Sequence, residues 1–140
     1  MRRVSLFVFL AALAAVLGYA QASSVTIKVN PTRADNGKQM FVSYCAPCHA
    51  VDGRGQGPVA PALQTRPTDL TMLSRNNHGE YPEDHVVAVL RFGVENPAHG
   101  SKQMPIWGPV FYRLDSSMGS TTAQTLRISN VVKYIKTLQK

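Results

Sequence analysis

Two cysteines and a histidine stand together at Cys45-Ala46-Pro47-Cys48-His49, and the chain has no other cysteine. C-x-x-C-H is the spacing of c-type haem attachment. Two intervening residues let both sulfurs reach vinyl groups on neighbouring edges of a porphyrin. The next residue is then carried beneath the ring, where its imidazole can bind iron. A covalent tether also keeps such a group from being lost outside the cell. Two other chemistries use a C-x-x-C pair. A thioredoxin-type redox pair wants a βαβ setting, and none is visible. Half of a zinc site wants a second Cys or His pair at matching spacing, and none is present.

Iron held by one imidazole has a second axial position. Met72, Met104 and Met118 lie beyond the motif. Met72 falls in a predicted short helix, where a flexible methionine serves as a gap-filler. Met118 lies in a Ser/Gly-rich stretch with little to hold it. Met104 lies in Gln103-Met104-Pro105-Ile106-Trp107, a loop stiffened by proline and ending in a large aromatic. A weak iron–thioether bond needs that stiffness, so Met104 is the favoured ligand. His78, His85 and His99 compete for the role, and an open sixth position is the third alternative. A neutral, soft thioether favours ferrous over ferric iron and raises the reduction potential. A filled site also favours electron transfer over substrate chemistry.

These residues need helices to position them. Strand signals are weak, and the pattern is of helices joined by Gly- and Pro-rich loops. A first helix is expected from Asn30 as N-cap, with Pro31 at its first position, ending near the cysteines. Residues 51–67 hold three glycines and three prolines and exclude regular helix. A short helix is expected over 68–75, starting near Thr68 or Asp69. A stronger one spans 83–92, with Val86, Val87, Val89 and Leu90 as apolar positions and Gly93 as its stop. Residues 96–109 read as loop. The clearest helix is the last. Thr121 with Gln124 resembles a capping box, and Leu126, Ile128, Val131, Val132, Ile135 and Leu138 form the apolar face. Lys133, Lys136 and Lys140 lie on the other side.

The start of the chain is a targeting segment. Met1-Arg2-Arg3 is basic, residues 4–17 are apolar apart from Ser5, and Ala20-Gln21-Ala22 is an A-x-A cleavage pattern. Residues 1–22 are therefore expected to be a cleaved signal peptide and residues 23–140 one exported, periplasmic domain. An uncleaved anchor is the alternative, but the apolar run is short against the roughly 20 residues of a membrane span. The net charge is +7 over 140 residues, and removing Arg2 and Arg3 leaves +5. That balance suits docking to an acidic redox protein or a membrane respiratory complex. Lys102 falls near Met104 and is a candidate for the rim of such a contact. An exported chain with no recognition motif is not expected to bind nucleic acid. No amphipathic anchor is visible beyond the cleavage site, and a monomer is expected.

The chain resembles the class I cytochromes c, small mono-haem carriers with His/Met ligation, from about Asn30 to Gln139. Gly37-x-x-x-Phe41-x-x-Tyr44-Cys45 is similar to the family's N-terminal helix entering the haem motif, and residues 128–139, with Tyr134 and Ile135, to its C-terminal helix. The Met-Pro-x-Trp pattern is similar to a bacterial subgroup with Met-Pro-x-Trp-Gly. The resemblance implies an all-α fold whose terminal helices cross around a covalently bound haem, a glycine on the first (Gly37) meeting an aromatic on the second (Tyr134). It also implies that a proline carbonyl after the motif accepts a hydrogen bond from His49, with Pro58 in the similar position. Trp107 would pack on the haem or bond a propionate, or simply fill the core. Arg54 or Arg66 would pair with a propionate or stay solvated.

The expected function is single-electron transfer by one haem c, covalent through Cys45 and Cys48, with His49 and Met104 as axial ligands, and no enzymatic step. The alternatives are a haem c subunit of a larger membrane oxidase or dehydrogenase, a haem enzyme or gas-binding module with an open sixth site, and a haem-free thiol oxidoreductase.

Overall fold

The apolar stripe from Ile128 to Ile135 needs a partner to exclude water, and three helices supply one. The computed structural model describes residues 30–93, 104–114 and 120–140. The signal segment 1–22, and with it His99, Lys102 and Met118, lie outside the described residues. Residues 31–140 form one compact unit, helical with no strand among the described residues. Gly37–Met40, Phe41–Cys45 and Ala46–His49 run on from one another without a break and are here α1. Then come α2 (Leu73–Asn76), α3 (Glu83–Phe92), α4 (Trp107–Arg113) and α5 (Ser120–Thr137). Helices α1, α3 and α4 all pack on α5. Their shared core includes Phe41, Leu90, Phe111, Val131 and Ile135, each at most 2% exposed.

The first helix starts later than the Asn30-Pro31 pattern suggests. Residues 34–35 form a turn, closed by an Arg33–Asp35 ion pair at 2.7 Å, and Asn36 becomes the N-cap. Its side chain accepts the Gln39 N–H at 2.9 Å, an interaction of about 1 kcal/mol. The middle of α1, Phe41–Cys45, is π-helical, with the Ala46 N–H bonding back to the Phe41 carbonyl. Pro47 explains the widening. In a regular helix its ring would press on the carbonyl of Ser43, and a π turn relieves that clash.

Helices α1 and α5 cross at Gly37. A Cβ there would overlap the Asn130 carbonyl and lie 3.3 Å from the Tyr134 Cβ. Asn130 Nδ2 donates to the Ala34 carbonyl at 2.9 Å, and the Phe41 and Tyr134 rings meet at 5.2 Å. The Gly37–Tyr134 pairing expected from the sequence is thus present. Arg127 is also on the buried side of α5, 2% exposed, donating to Thr32 Oγ1 at 3.2 Å.

Two sequence expectations change. Residues 107–109, expected as loop, instead open the helix α4, because Pro109 occupies its first turn, where the missing N–H has no helical partner to lose. The expected capping box is not formed. The helix begins at Ser120, and the Gln124 side chain donates to the Gly108 carbonyl at 2.8 Å, tying α5 to α4. By contrast Glu83–Phe92 is helical as expected, and Gly93 ends it at φ 82°. The segment over 68–75 splits into a 3-10 turn, Leu70–Met72, and α2. Asp69 caps that turn, accepting from the Thr71 N–H and Oγ1 at 2.9 and 2.7 Å.

The helix crossing and the Asp69 cap can each be tested by substitution. Gly37→Ala is expected to lose ~1–3 kcal/mol in urea denaturation, since neither backbone can yield at the crossing. The Asp69 carboxyl is held below its ordinary range, first by the Thr71 hydroxyl hydrogen bond. A depressed folded-state pKa contributes stability above the unfolded value, and that contribution is lost as pH falls through the folded one. Asp69→Asn should therefore be less stable than the parent at pH 6, and the gap should close as urea titrations move below about pH 4.

Candidate functional site

The motif lies at the C-terminal end of α1, and the next stretch of chain is bound back onto it. Carbonyls in the last turn of a helix have no partner within the helix. Here loop amides take that role. The amides of Val59, Gly57 and Gly55 donate to the carbonyls of Pro47, Cys48 and His49, each at 2.9 Å. Gly57 is buried against the motif, and a Cβ on it would overlap the Pro47 and Ala46 carbonyls. Gly57, legible in sequence only as a helix breaker, lets this loop lie against the motif, while Gly55, at φ 75°, is pressed against the Pro67 carbonyl.

Cys45 is 7% exposed and Cys48 half-buried, and no disulfide joins them. Burial first, and the neighbouring Cys48 second, push the Cys45 thiol up to about 12. An activated redox pair has the opposite arrangement, a lowered thiol at a helix N-terminus. Among the described residues no group of three or more His, Cys, Asp or Glu side chains could hold a metal ion.

His49 is 9% exposed, and its Nδ1 lies 3.0 Å from the Thr68 carbonyl. Burial lowers its pKa, while the Thr68 hydrogen bond acts in the opposite sense. A neutral ring with Nδ1–H donated to a carbonyl keeps the Nε2 lone pair for a metal. The acceptor is not Pro58. That residue is exposed, and its neighbours Gly57 and Val59 are bound to the motif carbonyls, so this part of the loop caps the helix instead of facing the imidazole. The Leu70 amide, donating to the Gly53 carbonyl at 2.8 Å, brings residues 68–70 back beside His49.

Cys45, Cys48 and His49 line one cleft together with Met104, Pro105 and Trp107. Its other walls are mainly aliphatic, with Val86, Val89 and Leu90 from α3 and Ile135 from α5. About 1000 Å³ of space unfilled by protein atoms lies in and over the cleft, part of it open solvent. Two sulfurs, a neutral buried imidazole and apolar walls fit a covalently held haem.

The other candidates separate. His85 lines the cleft from the first turn of α3, whereas His78 is exposed and, like Met72, is not part of the lining. Arg66 lines it as well, while Arg54 pairs with Asp52 at 3.4 Å. Trp107 is packed in the core at the edge of the cleft. It stacks on Tyr44 and Phe111 at 5.4 and 5.6 Å. Thr68 is the residue that sequence reasoning misses. A backbone carbonyl leaves no signature in residue type, and the one nearby signal is the capping Asp69.

Searches of curated proteins and of solved structures each returned no match. The family model described as Cytochrome c matches residues 34–139. That span runs from the turn before α1 to just beyond the chain's last helix and contains every wall of the cleft. The chain belongs to the cytochrome c family, whose members carry covalently bound haem c.

Proposed function

We propose that this chain is an exported single-electron carrier with one haem c attached to Cys45 and Cys48 and ligated axially by His49 and Met104. The observation that carries the reading is the shared cleft: the C-x-x-C-H end of α1 and the Met104–Trp107 segment border the same apolar space. Haem, when bound, supplies the one-electron ferric/ferrous couple. The chain supplies the rest. His49 offers Nε2 because Nδ1 is committed to Thr68. Met104, half-buried, is tied in sequence to Trp107, which two ring stacks hold in place. His85, the competing donor, sits exposed on α3. The aliphatic walls exclude water, which favours the less charged ferrous state, and thioether ligation acts in the same direction. Arg66 is the cleft's cation for a propionate.

No substrate chemistry is assigned to the site, and the class I, Met-Pro-x-Trp-Gly type of the family is the subgroup this reading places it in. The net charge of +5 left after Arg2 and Arg3 are removed with residues 1–22 suits an acidic redox partner or a membrane respiratory complex. No helix among the described residues is long and apolar enough to cross a membrane.

Optical spectra of the exported protein and of Met104→Ala test the ligand assignment. A c-type spectrum with the weak ferric methionine–iron charge-transfer band is expected in the parent. The variant should lose the band and have a lower reduction potential. A band that survives the substitution would remove Met104 as the ligand, and a colourless protein from a host able to attach haem would overturn the whole reading.

A further inference from the structure

The carbonyl that holds His49 belongs to an exposed residue of an irregular segment, so something else must fix it. Thr68 lies outside any helix. The turn immediately beyond Thr68 is anchored by several bonds, made by Gln139 and Lys140. The Gln139 side chain makes three hydrogen bonds. Its Oε1 accepts the Ser74 N–H at 2.9 Å, and its Nε2 donates to the Leu70 carbonyl at 2.8 Å and the Ile135 carbonyl at 2.9 Å. The Lys140 N–H adds a bond to the Thr71 carbonyl at 3.1 Å. One amide thus bridges both ends of the Leu70–Ser74 turn and locks it to the last turn of α5.

The orientation of that amide is determined by its partners. Flipped, it would set its NH2 against the Ser74 N–H and its oxygen against two carbonyls. A residue serving only to cap α5 needs the Ile135 bond alone. The bonds to Leu70 and Ser74 act on a different segment, the one that starts two residues after Thr68. The Leu70 amide is spent on the Gly53 carbonyl at 2.8 Å, so Leu70 is held on both sides, by the loop after the motif and by Gln139.

We infer that Gln139 is a positioning residue for His49, fixing the Thr68 carbonyl through Leu70 and thereby setting the basicity of the axial imidazole. The inference rests on His49 being the iron ligand. A well-aligned Nδ1–H···O bond raises the basicity of a metal-bound histidine and so favours the ferric state. Loosening it should raise the reduction potential.

The test uses the exported haem-loaded protein and the variants Gln139→Ala and Gln139→Leu, with Tyr81→Phe as the control: it removes a hydroxyl that donates to the Val132 carbonyl at 3.1 Å and so loosens α5 at a point away from the Leu70–Ser74 turn. Two quantities are read under native conditions: proton exchange at His49 Nδ1–H by NMR of the ferrous protein, and the midpoint potential. Both Gln139 variants should exchange at least tenfold faster than the parent and have a more positive potential, while Tyr81→Phe leaves both near parent values. Unchanged exchange and potential in the Gln139 variants would overturn the inference. So would equal shifts in Tyr81→Phe, which would reduce Gln139 to a stability residue. A His49 ring lacking the ring-current shift of a haem-bound imidazole, in parent and variants alike, would instead overturn the ligand assignment and the inference with it.

Discussion

The contact on which the rest depends is the backbone-to-backbone approach of α1 and α5 at Gly37 and Asn130. Each helix carries half of the site's support at its far end. Helix α1 ends in Cys45, Cys48 and His49, and α5 leads to Gln139, which holds the turn beyond the His49 acceptor. A crossing that admits no Cβ fixes the distance and angle between these ends more tightly than side-chain packing could, because side chains change rotamer and backbones do not. The neighbouring Asn130–Ala34 bond and the Phe41–Tyr134 ring contact then guard the same register.

Around that fixed pair the chain resolves a conflict between burial and polarity. The motif needs an apolar cleft, yet it ends a helix, where unpaired carbonyls collect. The amides of Gly55, Gly57 and Val59 satisfy those carbonyls from behind, leaving the cleft side to sulfur, imidazole and aliphatic carbon. The same economy governs His49. One nitrogen is satisfied by the backbone, and the other is left for the metal.

The parts legible in sequence are those written in side-chain type and period. Cys45, Cys48 and His49 stand out by spacing, α5 by its Ile128–Ile135 stripe, and α3 by its apolar positions and Gly93. Sequence misleads where backbone geometry decides. Asn30-Pro31 reads as the helix start, but the helix begins after its N-cap Asn36, whose side chain accepts the Gln39 N–H. Pro109 reads as a breaker until its place in the first turn of α4 is known. Pro58 pairs with His49 only by analogy of position, and the acceptor is the carbonyl of Thr68, which any residue could have provided. Gln124 lies in a plausible cap pattern and is used across the fold, on Gly108.

The loop ladder behind the motif also bears on the order in which the chain can assemble. Its bonds join residues close in sequence: Gly55 to His49, Gly57 to Cys48, Val59 to Pro47. The Asn130–Ala34 bond at the helix crossing spans 96 residues. Loop-closure entropy grows as (3/2)RT ln n, so closing the long loop costs ~2 kcal/mol more than closing one of about ten residues. The thiols and the imidazole can therefore be gathered on a short stretch of chain before the C-terminal helix docks, when the cleft still lacks its Ile135 wall and is open to a group entering from outside.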